Sequence, residues 1–324
     1  MLFVCLFAMG FRDTSVGVDT ISYKQFFDDY VHYDWNKILT EKPTGNGDTV
    51  ELGLKILMKL CSDIYPNYYF YQFVFSSIYL ILILNFIYKY TSNVVLAFAI
   101  FLGGGLYMQT FNIARQMLAI ALTAYSMTYI LNRKFIKALL LIWIAYLFHS
   151  SSVLALIMFT VYYIRKNKYI LILTPLLLVV AVLSIEKFLL PLLLNLFGDK
   201  YLGYAISDYS RPNKGILLKL IWLFNLIVSV ISLLLYKEKS SLQFLAILSL
   251  GAVACYWIGL SINYADRVGL IFLPAIMLMY DKVGSILKNK TTRFLFINGF
   301  TLFYISYLYY YIMTIESIKY ECII

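Results

Sequence analysis

Residues 216–236 read ILLKLIWLFNLIVSVISLLLY, an apolar run whose one charge, Lys219, lies near its start. At about 1.5 Å per residue, such a helix crosses the roughly 30 Å of hydrocarbon in a bilayer. Residues 79–90 (YLILILNFIYKY) and 168–183 (KYILILTPLLLVVAVL) have the same character. Of the 324 residues 62% are hydrophobic and only 14% charged, and mean hydropathy is +0.78. Soluble domains are nearer half apolar and a quarter charged. The chain therefore reads as an all-α, polytopic membrane protein. Its 30 tyrosines and 24 phenylalanines suit aromatic belts at the two bilayer surfaces.

Working outward, apolar segments fall at 1–11, 68–88, 93–110, 111–131, 135–164, 168–186, 215–236, 242–262, 267–283 and 293–313. These predict about nine to eleven transmembrane helices in a single membrane-embedded domain, 1–324. The first segment is too short to span and lacks the basic start and small-residue cleavage site of a signal peptide. Its expected origin is a longer native helix in which the initiating methionine lies.

The net charge of +10 does not point to nucleic acid. The basic residues gather in short gaps between apolar runs: Arg133-Lys134, Arg165-Lys166 with Lys168, Lys237 with Lys239, and Lys288 with Lys290 and Arg293. Such gaps are cytoplasmic by the positive-inside rule. The long 12–67 stretch is acidic instead, holding Asp13, Asp19, Asp28, Asp29, Asp34, Glu41, Asp48, Glu51 and Asp63. It is expected to be an outer loop, as is 187–214, neither with a core of its own. The cysteines (Cys5, Cys61, Cys255, Cys322) are scattered singly and read as structural. No glycine-rich phosphate loop, HExxH or GxSxG motif occurs.

Residues 135–164, FIKALLLIWIAYLFHSSSVLALIMFTVYYI, break the simple count. One helix of that length would measure about 45 Å, too long for one span and too short for two. Basic clusters flank both ends. A broken, re-entrant pair of half-helices resolves this, entering and leaving on the cytoplasmic side with His149-Ser150-Ser151-Ser152 at its tip. A polar tip at membrane depth is tolerated only against protein or a water-filled cavity.

Four places hold ionisable groups where the outer leaflet meets the interior. They are Arg12-Asp13 followed by Asp19, Thr20 and Tyr23; Asn112, Arg115 and Gln116; His149; and Asn263, Asp266 and Arg267. Positions i, i+3 and i+4 share a helix face, so 112, 115 and 116 predict a polar stripe on an apolar cylinder. Each group has a plainer reading. Arg12 and Arg267 could snorkel from span ends, Asp266 could neutralise Arg267, and His149 could bond a helix-end carbonyl. Gly103-Gly104-Gly105 suits close helix packing, and the aromatic run at 65–71 suits an interface belt. Arg115 is harder to dismiss, because an arginine inside an apolar run is a functional candidate by default. Three arginines and a histidine on the outer side suit an anionic ligand such as a lipid-borne diphosphate, since arginine stays charged and offers a planar fork.

The FR…VGVDT…Y segment (11–23), the N.ARQ.LA helix (112–119), the basic RK turn (133–134) and the FHSSS helix end (148–152) resemble, in order and spacing, the EpsG-type branch of Wzy-like bacterial polysaccharide polymerases. The resemblance covers about 11–160, with a looser echo in N.ADR at 263–267. The family's complete first helix is missing at this N-terminus. The resemblance implies polymerisation of lipid-linked oligosaccharide repeat units (capsule, exopolysaccharide or O-antigen) on the outer face of the cytoplasmic membrane. The partners it implies are a polyprenyl-diphosphate-linked oligosaccharide, the lipid bilayer and a chain-length regulator. No nucleotide sugar, metal or other cofactor is implied.

On that basis Arg115 and Arg267, supported by Arg12, are expected to stabilise the departing diphosphate, where negative charge builds in the transition state. His149 or Asp19 is expected to take the acceptor's proton. Thr20, Tyr23, Asn112, Gln116, Asn263 and Asp266 are expected to orient sugar or phosphate. Two other functions would also want buried cations: a flippase of lipid-linked saccharide, though no internal repeat is evident, and another outer-face transferase or ligase. A purely structural scaffold is the third alternative.

Overall fold

The structure is a computed structural model and describes residues 2–17, 19–40, 50–167, 216–235, 239–260 and 265–314, with a few isolated residues between 169 and 180. The expected outer loop at 187–214 and most of the 168–186 segment lie outside the described residues. Among those described, the regular elements are all helical.

The N-terminal part comprises α1 (Leu2–Gly10), α2 (Thr20–Val31), α3 (Trp35–Thr40), α4 (Leu52–Ile64), α5 (Tyr68–Tyr90), α6 (Val94–Gly103), α7 (Ala114–Leu131), α8 (Phe135–Phe148) and α9 (Ile157–Ile164). Then follow α10 (Ile216–Leu235), α11 (Ser240–Ile258), α12 (Ala265–Gly269), α13 (Leu273–Ile286) and α14 (Lys290–Thr314). Four stretches among the described residues are helical, long and apolar enough to cross a membrane: Tyr68–Tyr90, Ile216–Leu234, Ser240–Ile258 and Ala265–Ile286. The protein is a multi-pass, all-α membrane protein.

Two boundaries differ from the sequence expectation, and both bear on function. The 93–110 segment is not one span, because α6 ends at Gly103. Gly105 follows with φ +102°, a left-handed conformation that glycine adopts without penalty. A Cβ on Gly103 would fall 2.1 Å from the Tyr304 carbonyl oxygen, so α6 packs against α14 at backbone contact. The chain then passes through a short 3₁₀ turn, Met108–Phe111, before α7 begins at Ala114. The expected 112–115–116 helical stripe therefore does not exist as one face. Asn112 lies in the turn before the helix, and Arg115 and Gln116 occupy its first turn.

The 12–67 stretch is likewise more than a loop. Tyr23, Phe27 and Tyr30 on α2, and Leu54, Met58 and Cys61 on α4, recur at i, i+4 and i+7, the period of one helix face. All six are buried and join the same core cluster as the spanning helices. A small helical cap thus sits on the bundle, with Phe27 packed 5.7 Å from Tyr71 and 6.0 Å from Tyr68, ring to ring, at the start of α5.

The 135–164 segment is broken where the polar tip predicts. His149 is extended between α8 and a 3₁₀ turn, Ser150–Leu156, that leads into α9. Phe135 at the start of α8 contacts Phe159, Tyr162 and Tyr163 at the end of α9. The Arg133 Nε–H donates to the Tyr162 hydroxyl at 3.2 Å. The segment is a hairpin whose two basic ends meet and whose tip is His149. Opposing basic ends at one level satisfy the charge rule that a single long span would break.

The interior of the bundle carries a few paired polar groups. Tyr304 of α14 donates to Asn225 Oδ1 of α10, Ser229 donates to Ser249 of α11, and Asp281 of α13 accepts from the N–H groups of Ser92 and Asn93 at the start of α6. Interhelical hydrogen bonds of this kind hold apolar helices in register.

Candidate functional site

The hairpin tip meets three other parts of the chain. A cavity of about 210 Å³ is lined by Asp19 and Tyr23 of the cap, Ile113, Arg115 and Gln116 at the start of α7, His149 and Ser151 at the tip, and Arg267 and Val268 of α12. Each arrives for a local reason. Arg115 is presented by the N-terminal turn of α7, whose unbonded N–H groups add positive potential at that end. His149 is presented because helix α8 stops there. Arg267 lies on the five-residue helix α12, and Gln116 Nε2 fixes it by donating 2.6 Å to the Arg267 carbonyl.

The Asp19 region is held against α7 by one tight approach. Gly17 has φ +95°, and a Cβ there would fall 1.9 Å from the Phe111 carbonyl oxygen. Thr20 Oγ donates to Val16 O at 2.7 Å and lies 3.4 Å from that same Phe111 carbonyl. The VGVDT segment is thus clamped to the turn that precedes Arg115. Gly17→Ala is expected to destabilise the protein by at least about 2 kcal/mol, through a left-handed conformation and a backbone collision together. The melting midpoint of the detergent-solubilised variant reads this directly, and an unchanged midpoint would show that the segment is not clamped.

The strongest contact in the site involves a residue that the sequence reading left among the loop acids. Glu51, at the start of α4, spans two groups. Its Oε2 accepts from Arg115 Nη1 at 2.7 Å. Its Oε1 lies 3.0 Å from His149 Nδ1 and accepts from the Ser150 N–H at 3.3 Å. Arg115 is 64 residues away in sequence and His149 is 98. Glu51 occupies the N-cap position of α4, yet its side chain makes no capping bond. Burial opposes its charge, but the hydrogen bond from His149 and the positive charge of Arg115 outweigh burial and hold the carboxyl below its usual range. Its contribution to stability is therefore present above the ordinary carboxylate range and is lost as pH falls through the lowered value. Beneath Arg115, the Tyr23 ring lies 5.7 Å from the guanidinium carbon.

The remaining candidates fall elsewhere. Arg12 is only 3% exposed and does not line the cavity; its guanidinium lies 4.9 Å above the Phe111 ring, with Nε and Nη1 buried and without hydrogen-bond partners. Thr20 is buried in the clamp just described. Asp266 accepts from the N–H of Arg267 at 3.1 Å and lines a second cavity, of about 100 Å³, with Gly103–Gly105, Trp222, Tyr256 and Tyr304 among its walls. Asn263 lies outside the described residues. Among the described residues no group of three or more His, Cys, Asp or Glu side chains could hold a metal ion.

The site thus gathers two arginines, a histidine, an aspartate and a glutamine from cap, helix start, hairpin tip and α12. Three of the motif segments that carry the resemblance, VGVDT…Y, N.ARQ.LA and FHSSS, contribute residues to it, whereas the RK turn lies at the other end of the hairpin. No curated protein and no solved structure matches the chain. The model of the EpsG family matches residues 1–323, nearly the whole chain, and the protein belongs to the EpsG family.

Proposed function

We propose that this protein transfers a glycan from a polyprenyl diphosphate to a hydroxyl of a second lipid-linked repeat unit, at the outer face of the cytoplasmic membrane. Family membership supports a polysaccharide-polymerase role in general. The finer reading rests on one observation: Arg115, Arg267, His149 and Asp19, distant in sequence, line one cavity.

In this reading the acceptor hydroxyl loses its proton to His149 as its oxygen bonds the anomeric carbon. The bond from that carbon to the diphosphate oxygen breaks, and the electron pair leaves with the diphosphate. Arg115 and Arg267 stabilise the charge arriving there, more in the transition state than in the ground state. The carboxylate of Glu51 favours the His149 tautomer that carries its proton on Nδ1, which leaves Nε2 as the basic nitrogen. Gln116 keeps Arg267 in place through its backbone. Asp19 is the alternative proton acceptor. The tyrosines and acids of the cap would contact sugar rings, since aromatic faces and carboxylates suit polyols.

The test is reconstitution of purified protein with lipid-linked repeat unit, without nucleotide sugar. A ladder of products of increasing length supports the reading. Movement of the lipid across the bilayer with no ladder would replace it by a flippase.

A further inference from the structure

We infer that Glu51 is a built-in stand-in for the substrate's phosphate: its carboxylate occupies Arg115 before substrate binds, and an incoming diphosphate oxygen displaces it from Arg115 while His149 and the Ser150 N–H retain it. This rests on the transferase reading above and adds an order of events to it.

The geometry divides the carboxylate between two tasks. One oxygen binds the cation that would grip the leaving group; the other binds the nitrogen that orients the base. The Arg115 contact is through a single nitrogen, Nη1, rather than the two-pronged arrangement that a guanidinium can make with a carboxylate. It is therefore open to exchange with a better anion. Arg115 lines the cavity, and both side chains of the pair keep partial exposure, 25% for Arg115 and 16% for Glu51, so a ligand can reach Arg115 without unfolding the cap. The second oxygen has two further anchors, His149 Nδ1 and the Ser150 N–H. A carboxylate released from Arg115 thus stays in place instead of swinging away.

Two consequences follow from charge. While Glu51 is paired with Arg115, the pair is neutral, so the cavity attracts phosphate less than its arginines would suggest. Once a diphosphate arrives, the carboxylate and the phosphate are like charges near one cation, and the freed carboxylate is concentrated on His149. There it stabilises the imidazolium that forms when the acceptor's proton is taken. Occupation of the leaving-group site thereby switches on the base. Glu51 is a positioning residue in this scheme and does not itself touch the reacting atoms.

The prediction is a split between binding and turnover that loss of structure alone does not produce. Glu51→Gln keeps the shape and removes the charge. It is expected to bind inorganic pyrophosphate, and the diphosphate lipid, at least about fivefold more tightly than wild type. It is also expected to extend polymer at least about tenfold more slowly. Binding is read by calorimetry on the full-length protein in nanodiscs, and turnover by the product ladder. Glu51→Ala, which removes the charge without introducing an amide, is the second variant and should shift both quantities the same way. Equal or weaker anion binding in both variants overturns the inference, as does unchanged extension. Tighter binding with no ladder even from wild type would keep the anion exchange and overturn the transferase reading. A normal ladder from variants with unaltered affinity would do the reverse.

Discussion

Arg115→Ala is expected to reduce polymer formation by at least about a hundredfold, the scale on which enzymes lose activity when one aimed donor to a developing anion is removed. The protein should still reach the membrane, because Arg115 stands at the first turn of α7 beside a cavity rather than within its packed length. The variant strands Glu51 without its cation, but that carboxylate keeps His149 and the Ser150 N–H as partners and is partly solvated, which softens the cost. Arg115→Lys separates charge from shape. A point charge pairs with one oxygen at a time, whereas the guanidinium can bridge two. The lysine variant is therefore expected to fall between alanine and wild type, with shorter chains at equal time. The distribution of polymer lengths on a gel reads all three. Wild-type lengths from the alanine variant would remove Arg115 from the chemistry and leave its pairing with Glu51 as a cap-to-bundle tether.

The same residues show what a sequence can and cannot reveal here. The membrane class was legible because hydrophobicity over about 20 residues is a local property. The hairpin at 135–164 was legible too, because its length and its two basic ends exclude the simpler solutions, and the structure breaks at His149 as that logic requires. The helical stripe at 112–116 does not form because α7 begins only at Ala114, so Asn112 lies in the preceding turn and shares no helix face with Arg115 and Gln116. The end of α6 at Gly103 coincides with a backbone contact to Tyr304 of α14, a long-range feature that no local pattern encodes. The cap was underestimated for a related reason. Its i, i+4, i+7 pattern was present in Tyr23, Phe27 and Tyr30, but a dense scatter of acids masked it.

Glu51 was the residue least visible in advance. An acid before an amphipathic helix is normally read as a cap or a solvated charge. Only three-dimensional placement shows that its side chain leaves its own helix uncapped and reaches two residues on other elements. Arginine and histidine announce themselves in an apolar run because they are costly there. A carboxylate in a polar segment is not costly, so nothing in the sequence flags it. Sites of this kind are read from their cations first, and their counter-charges come from the fold.

His149→Ala is the second large effect. Removal of a general base costs about a hundredfold to ten-thousandfold in turnover, and here that loss should far exceed any change in binding of the diphosphate lipid, since Arg115 and Arg267 remain. Asp19 lines the same cavity and is the competing candidate, so Asp19→Asn is the necessary partner experiment. The geometry favours His149, because Glu51 already fixes one ring nitrogen and thereby leaves the other as the proton acceptor. Asp19→Asn is expected to lose less than about tenfold, the scale of a contact rather than of a proton transfer. Added imidazole gives a further separation. Truncation of His149 enlarges a cavity that already measures about 210 Å³, enough to admit the free base. Partial recovery of extension with imidazole in His149→Ala, and none in Asp19→Asn, is the expected pattern. The opposite ranking of the two variants would move the proton to Asp19 and leave His149 as the anchor that holds Glu51 at the hairpin tip.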